Sequence, residues 1–225
     1  MRIINPLVTK KYSLVCAFLL GIFPFIINGW INANIYQNVP FYWAFELFCW
    51  IFLPVVIFSY LFKYQDIKWA DLGLHDKING LKNQELLALL CLLLFFIDYP
   101  IYKLSLGFAN SLIQSQAVFS YQLIQPQVIL LKILSVIYFA MTAGIVEELY
   151  YRGLLHKIAQ SFRRSKMLYL IASPALFALS HWEQGAQNIV ATGMFGFLSC
   201  LFYLKFKNLW PLIIGHIATD FFWFL

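Results

Sequence analysis

Charge is what this chain lacks most. Only 12% of its 225 residues are Asp, Glu, Lys or Arg, about half the share found in soluble globular domains. With 62% hydrophobic residues and a mean hydropathy of +0.74, it has too little polar surface to cover a water-soluble fold. Composition alone places it in the membrane class. Cysteine is scarce too. Cys16, Cys49, Cys91 and Cys200 fall singly in separate apolar runs with no CxxC pair, which argues against a disulfide framework or zinc knuckle; they read as packing residues. There is no low-complexity segment and no internal repeat, and the missing repeat counts against the two-halved build of many secondary transporters. The net charge of +6 is scattered through short loops with no basic amphipathic tail, so it carries no nucleic-acid signal.

What the chain does have is long apolar runs. A chain of this length accommodates about seven spans of ~20 residues joined by short loops. The runs lie at roughly 12–31, 41–62, 85–107, 128–157, 167–182, 188–205 and 209–225. The expected fold is all-α, a polytopic transmembrane helical bundle forming one integral-membrane domain over 1–225. The first run imitates a signal peptide, but it is too long for a typical h-region and no A-x-A site closes it. It reads as a retained span.

Lysine and arginine set the orientation. Arg2, Lys10 and Lys11 precede the first run. Lys63, Lys68, Lys77 and Lys82 separate the second from the third, Lys157, Arg163, Arg164 and Lys166 the fourth from the fifth, and Lys205 with Lys207 the sixth from the seventh. Thirteen of the sixteen basic residues thus share one side, and the positive-inside rule predicts a cytoplasmic N-terminus. The polar stretch 63–85 carries Trp69, Leu72 and Leu74 among its charges. It fits either an amphipathic segment at the interface or a solvated connector.

Few ionisable residues remain inside the runs. The deep ones are Glu147, Glu148 and Arg152 on the fourth, His181 on the fifth, and His216 with Asp220 on the seventh. Glu46 reads as interfacial, and Asp98 as structural, close to Lys103 and Pro100. His75 is a loop residue, and His156 falls near the cytoplasmic end of the fourth run. Glu148 and Arg152 are four apart and can pair on one helix face, whereas Glu147 is rotated by about 100° and is free to face a cavity. His216 and Asp220 share the same spacing, as do Phe177 and His181. Counting at 1.5 Å per residue brings Glu147, His181, His216 and Asp220 to overlapping depths of roughly 10–24 Å. Converging ionisable groups inside a membrane mark a pathway or an active site.

EELYYR (Glu147 to Arg152), FALSH (Phe177 to His181) and HIATD (His216 to Asp220) fit EExxxR, FxxxH and HxxxN/D in order. In these motifs the chain resembles the family of CAAX proteases and bacteriocin-processing enzymes, glutamate-dependent intramembrane endopeptidases that include the type II CAAX prenyl endopeptidases. WADLGL, GMFGFLSCLFYL and KNLWPLIIGH are similar to the family's connecting text. The resemblance covers a catalytic core of about 128–225. It implies that Glu147 acts with His181 to activate a water, with Glu148 and Arg152 as a supporting ion pair and Phe177 beside them. It implies further that His216 and Asp220 stabilise the oxyanion. An ionised aspartate has no donor to offer, so Asp220 is expected either to be protonated or to orient His216.

Glu147, His181 and His216 would also suit a zinc ion with an open fourth position. There is no HExxH, however, and the same residues suffice for hydrolysis without a metal, so the cofactor stays open. The expected partners are membrane lipids and a membrane-anchored protein or peptide substrate. The expected site of action is a bacterial cytoplasmic membrane. A non-proteolytic immunity or scaffold protein of the same fold, or a transporter, remains as an alternative to the hydrolase.

Overall fold

The computed structural model describes residues 6–78 and 81–225; Arg2, one of the charges used to orient the chain, lies outside them. Helix α1 is Pro6–Ile35, α2 is Val39–Tyr64, α3 is Gln84–Leu112 and α4 is Ile129–Ala159. Helix α5 is Ser165–Leu179, α6 is Ala186–Phe206 and α7 is Trp210–Phe224. Between α2 and α3 lie a 3-10 turn, Trp69–Leu72, and a two-stranded hairpin of β1 (Lys77–Ile78) and β2 (Leu81–Lys82). The protein is an all-α bundle, as its composition implies. Asparagines start two of the long helices: Asn38 Oδ1 accepts from the Phe41 amide at 3.3 Å and Asn83 Oδ1 from the Leu86 amide at 2.8 Å, satisfying orphan donors of the first turn.

Among the described residues, five helices, α1 to α4 and α6, are long and apolar enough to cross a membrane. Helices α5 and α7 have 15 residues each, short of the ~20 a full span requires. Exposed side chains such as Leu20, Phe23, Val55, Phe96, Leu130 and Ile171 belt the bundle. In water such a belt would drive aggregation; in lipid it costs nothing. The chain is an integral membrane protein.

The loops meet in two sets, so consecutive helices run in opposite directions. At one end Lys11 Nζ lies 3.5 Å from the Phe162 ring centroid, Lys157 Nζ bonds Asp71 Oδ1 at 2.7 Å, and the Leu209 amide donates to Gly73 O at 3.0 Å. At the other end the Val118 amide donates to Glu183 O at 2.6 Å and Gln125 Nε2 donates to Phe224 O at 3.0 Å. The basic loops thus share an end, as the charge distribution predicts. The 63–85 stretch is neither a bare connector nor a loose surface segment. Its Leu72 is fully buried, Trp69 packs on Phe58 and Phe62, and Tyr203 Oη donates to Leu72 O at 3.2 Å.

The Asp71–Lys157 pair clamps this segment to the end of α4. Partial burial works to raise the Asp71 carboxyl, but the Lys157 ammonium and the Lys68 amide outweigh it and hold the group below its ordinary value. The associated stability is therefore fully present above the ordinary aspartate pKa of about 4 and is lost as pH falls through the depressed value. Both side chains are about one-third exposed, at 31% and 32%, so Asp71→Asn should cost only about 0.5–1 kcal/mol. Thermal unfolding in detergent across a falling pH series from pH 7 checks this: the difference between wild type and variant should shrink below the ordinary value and vanish only once pH has passed the depressed one.

Candidate active site

The fourth helix changes its pitch where its charges begin. Glu148–Leu154 is a π-helical stretch inside α4, and all seven of its residues are buried. Such wide turns are frequent at functional sites, though not confined to them: α2 carries another at Phe48–Phe52. The wide turn of α4 is enclosed all round. Phe18 and Phe25 of α1 pack on Tyr150, Phe177 of α5 packs edge-on against Tyr151, and Gly153 lies against Leu72 and Leu209. Ser173 Oγ donates to Tyr151 O at 2.7 Å, which ties the distorted backbone to α5.

His216 is held in place by its two sequence neighbours. A Cβ on Gly215 would overlap the carboxylate of Asp98 on α3, and a Cβ on Gly144 of α4 would stand 2.6 Å from Ile217 Cγ1 and 2.9 Å from its backbone nitrogen. Helix α7 therefore sits tightly against α3 through Gly215 and against α4 through Gly144, with His216 between. Gly144→Ala should cost about 1–3 kcal/mol through overpacking and should also displace His216. Unfolding in detergent, measured beside the nearby but unobstructed Gly107→Ala, checks it.

The ionisable groups then fall into a chain. Arg152, wholly buried, places Nη1 3.0 Å from Glu148 Oε1 and its guanidinium carbon 4.2 Å from the Phe177 ring centroid, a cation–π seat. The same Glu148 Oε1 lies 2.8 Å from His216 Nδ1. The opposite ring nitrogen, His216 Nε2, lies 3.6 Å from Glu147 Oε2 and 3.7 Å from Asp220 Oδ2. Glu147 Oε2 is buried and has no hydrogen-bond partner. His181 Nδ1 is 2.8 Å from Phe177 O; a carbonyl only accepts, so Nδ1 carries the proton and Nε2 keeps its lone pair. Phe177 thus touches three members of the site, packing against His181 and His216 as well as Arg152.

Glu147, His181, His216 and Asp220 all line one cavity of about 80 Å³. A single water needs roughly 10–15 Å³ of such space, so the cavity admits several. Glu148 and Arg152 stand behind it. Three sequence expectations need correction. His216 is oriented by Glu148 and not by Asp220, because its Nδ1 contact at 2.8 Å is the only one of hydrogen-bond length. His181 does not sit within a span. Helix α5 ends at Leu179, where Ser180 Oγ and His181 Nδ1 both turn back onto Phe177 O, each at 2.8 Å. Glu46 is not interfacial; it is buried and lines the same cavity.

Asp98 is structural in position but has neighbours other than those expected, packing on Gly215 of α7, while Lys103 lies 5.4 Å from the Trp223 ring. Sequence reading missed Asn28, Asn32, Tyr121 and Glu183. Asn28 and Asn32, four apart in an apolar run, were the signal available. His156, near the end of α4, is buried and accepts from Lys207 Nζ at 2.9 Å, away from the cavity.

Among the described residues, no three His, Cys, Asp or Glu side chains are gathered closely enough to hold a metal ion. His216 Nδ1 is taken by Glu148, and its other nitrogen, Nε2, faces Glu147 at 3.6 Å. The cofactor therefore stays open, and no step below is routed through a metal. Residues 129–222 match the family model described as type II CAAX prenyl endopeptidase Rce1-like. That segment contains all three motifs and bears out the resemblance read from them. At family level it supports a peptidase. No curated protein matches the chain, and no solved structure does.

Proposed function

We propose that this chain, whose residues 129–222 carry the type II CAAX prenyl endopeptidase match, is an intramembrane endopeptidase. In this reading it hydrolyses a peptide bond of a membrane-anchored protein or peptide in a bacterial cytoplasmic membrane. The observation that carries the reading is the convergence of Glu147, His181, His216 and Asp220, from two helices and the end of a third, on one cavity that admits several waters.

Amide hydrolysis requires a base beside the attacking water and donors where negative charge develops. Glu147 has a free carboxylate oxygen, and His181 is fixed in the tautomer that leaves Nε2 able to accept. Together they hold the water and take its proton as its oxygen bonds to the carbonyl carbon. Carboxylates face both nitrogens of His216, and in this reading the ring acts in its doubly protonated form. Its Nε2–H then donates to the oxyanion. The tetrahedral intermediate collapses with cleavage of the C–N bond, and the proton held by Glu147 or His181 passes to the leaving nitrogen. The products are a carboxylate and an amine. Arg152 neutralises Glu148, and Glu148 orients His216, so both are positioning residues. Asp220 lies too far from His216 for a strong hydrogen bond and acts on it electrostatically.

The experiment is reconstitution into liposomes with three peptide classes: prenylated C-termini, bacteriocin-type leaders and C-terminal sorting segments. Mass spectrometry should find one class cut at a single bond. Failure of all three, with the protein folded, would favour a non-proteolytic role.

A further inference from the structure

The cavity has a second polar wall that the hydrolytic chemistry does not use. It is built by α1, α2 and the turn that follows α5. Asn32 Nδ2 of α1 donates to Glu46 Oε1 at 3.2 Å, and Asn28 Nδ2 donates to Tyr121 Oη at 3.2 Å. Beside Asn28, Gly29 leaves room for Glu183: a Cβ there would overlap Glu183 Cβ. Trp182 Nε1 donates to Ile26 O at 2.6 Å and pins the turn to α1. Glu46 and Glu183 are thus both seated on the stretch from Gly29 to Asn32, about 4.5 Å of helix rise.

The electrostatics of this wall are unbalanced. Glu46 and Glu183 are 1% and 3% exposed, and among the described residues neither has a basic partner. Four carboxylates line the cavity (Glu46, Glu147, Glu183 and Asp220), and its basic lining residues, His181 and His216, both stand at the hydrolytic end and not on this wall. Two lining acceptors, Asn28 Oδ1 and Glu183 Oε2, are buried without a donor, while Asn32 stands behind Glu46, outside the lining. Buried acids and orphan acceptors are costly unless something supplies charge and hydrogen. A metal ion is not what the wall fits, for no ligand cluster is gathered there. An organic cation with several N–H groups is.

We propose that this wall is a specificity subsite for a basic side chain of the substrate, held against Glu46, Asn28 and Glu183 while the scissile bond lies at Glu147 and His181. The guanidinium of arginine, with five donors in a fixed fork, matches the orphan acceptors better than the ammonium of lysine. The proposal rests on the endopeptidase reading for its second half; the binding of the cation stands independently of it.

The test uses two amphiphiles that differ in charge and hardly at all in shape, N-dodecanoyl-arginine amide and N-dodecanoyl-citrulline amide. Their affinities for the purified full chain in detergent are measured by thermal shift and by the fluorescence of Trp50 and Trp223, which line the cavity. The arginine compound should bind at least tenfold more tightly. Glu46→Gln/Glu183→Gln should reduce that preference to less than twofold, whereas Glu147→Gln should keep it. Equal binding of the two compounds to the wild type overturns the proposal and needs no variant to fold. Loss of the preference in Glu147→Gln alone also overturns it, by placing the cation at the hydrolytic end. A preference without cleavage of any peptide supports the subsite and removes the protease reading; cleavage without the preference does the reverse.

Discussion

Arg152→Met is expected to destabilise the protein by about 3–5 kcal/mol, the cost of stranding a buried partner charge. Arg152 is wholly buried, 3.0 Å from Glu148 and seated on the Phe177 ring. Methionine fills much of the volume but removes the charge that neutralises Glu148. The double variant Arg152→Met/Glu148→Leu should recover most of the loss, since replacing both members of a buried pair by apolar groups is often neutral. Recovery of stability should not bring recovery of cleavage, because His216 Nδ1 loses the carboxylate that orients it. Unfolding in mixed detergents reads the first quantity and product formation the second. A double variant no more stable than the single one would show that the pair's contribution is packing and not charge.

Glu147→Gln is expected to move activity and stability in opposite directions. Cleavage should fall by about 10²–10⁴-fold, the usual contribution of a positioned base. Stability should be unchanged or raised, because the variant removes a buried carboxylate whose Oε2 has no partner and whose nearest cation-capable group, His216 Nε2, stands 3.6 Å away. Function, not folding, is what an isolated buried acid serves. A loss of stability comparable with that of Arg152→Met would instead make Glu147 a structural member of the network.

Much of this was legible in the residues. The apolar runs marked the helices, because lipid leaves a spanning segment few alternatives to hydrogen-bonding its own backbone. The four-residue spacings of Glu148 with Arg152 and of His216 with Asp220 placed each pair on one face, and the structure brings each pair together. Spacing within a helix says nothing of contacts between helices, however. That Glu148 serves His216 on α7 as well as Arg152 on its own helix depends on Gly144 and Gly215 drawing the helices together. Nor does an apolar run announce where it bends. The π-helical turn at Glu148 is tied to α5 by Ser173 bonding the Tyr151 carbonyl, and α5 ends at Leu179 where Ser180 and His181 fold back locally onto the Phe177 carbonyl.

Glu46 departs from its sequence expectation for a related reason. Distance to the end of its run puts it at the interface, whereas its burial is set by Asn32 on the neighbouring helix. Glu183 gave no sequence signal at all, being a loop residue made internal by the space that Gly29 leaves.

Isotopic labelling of the products tests the central claim most directly. The reconstituted protein and a peptide it cleaves are incubated in H₂¹⁸O, and the N-terminal fragment, which carries the new carboxylate, is weighed for wild type, Glu147→Ala and His181→Ala. One ¹⁸O in the wild-type carboxylate, with product reduced at least a hundredfold in both variants, is the predicted result. Equal product from all three proteins would contradict a water activated by Glu147 and His181.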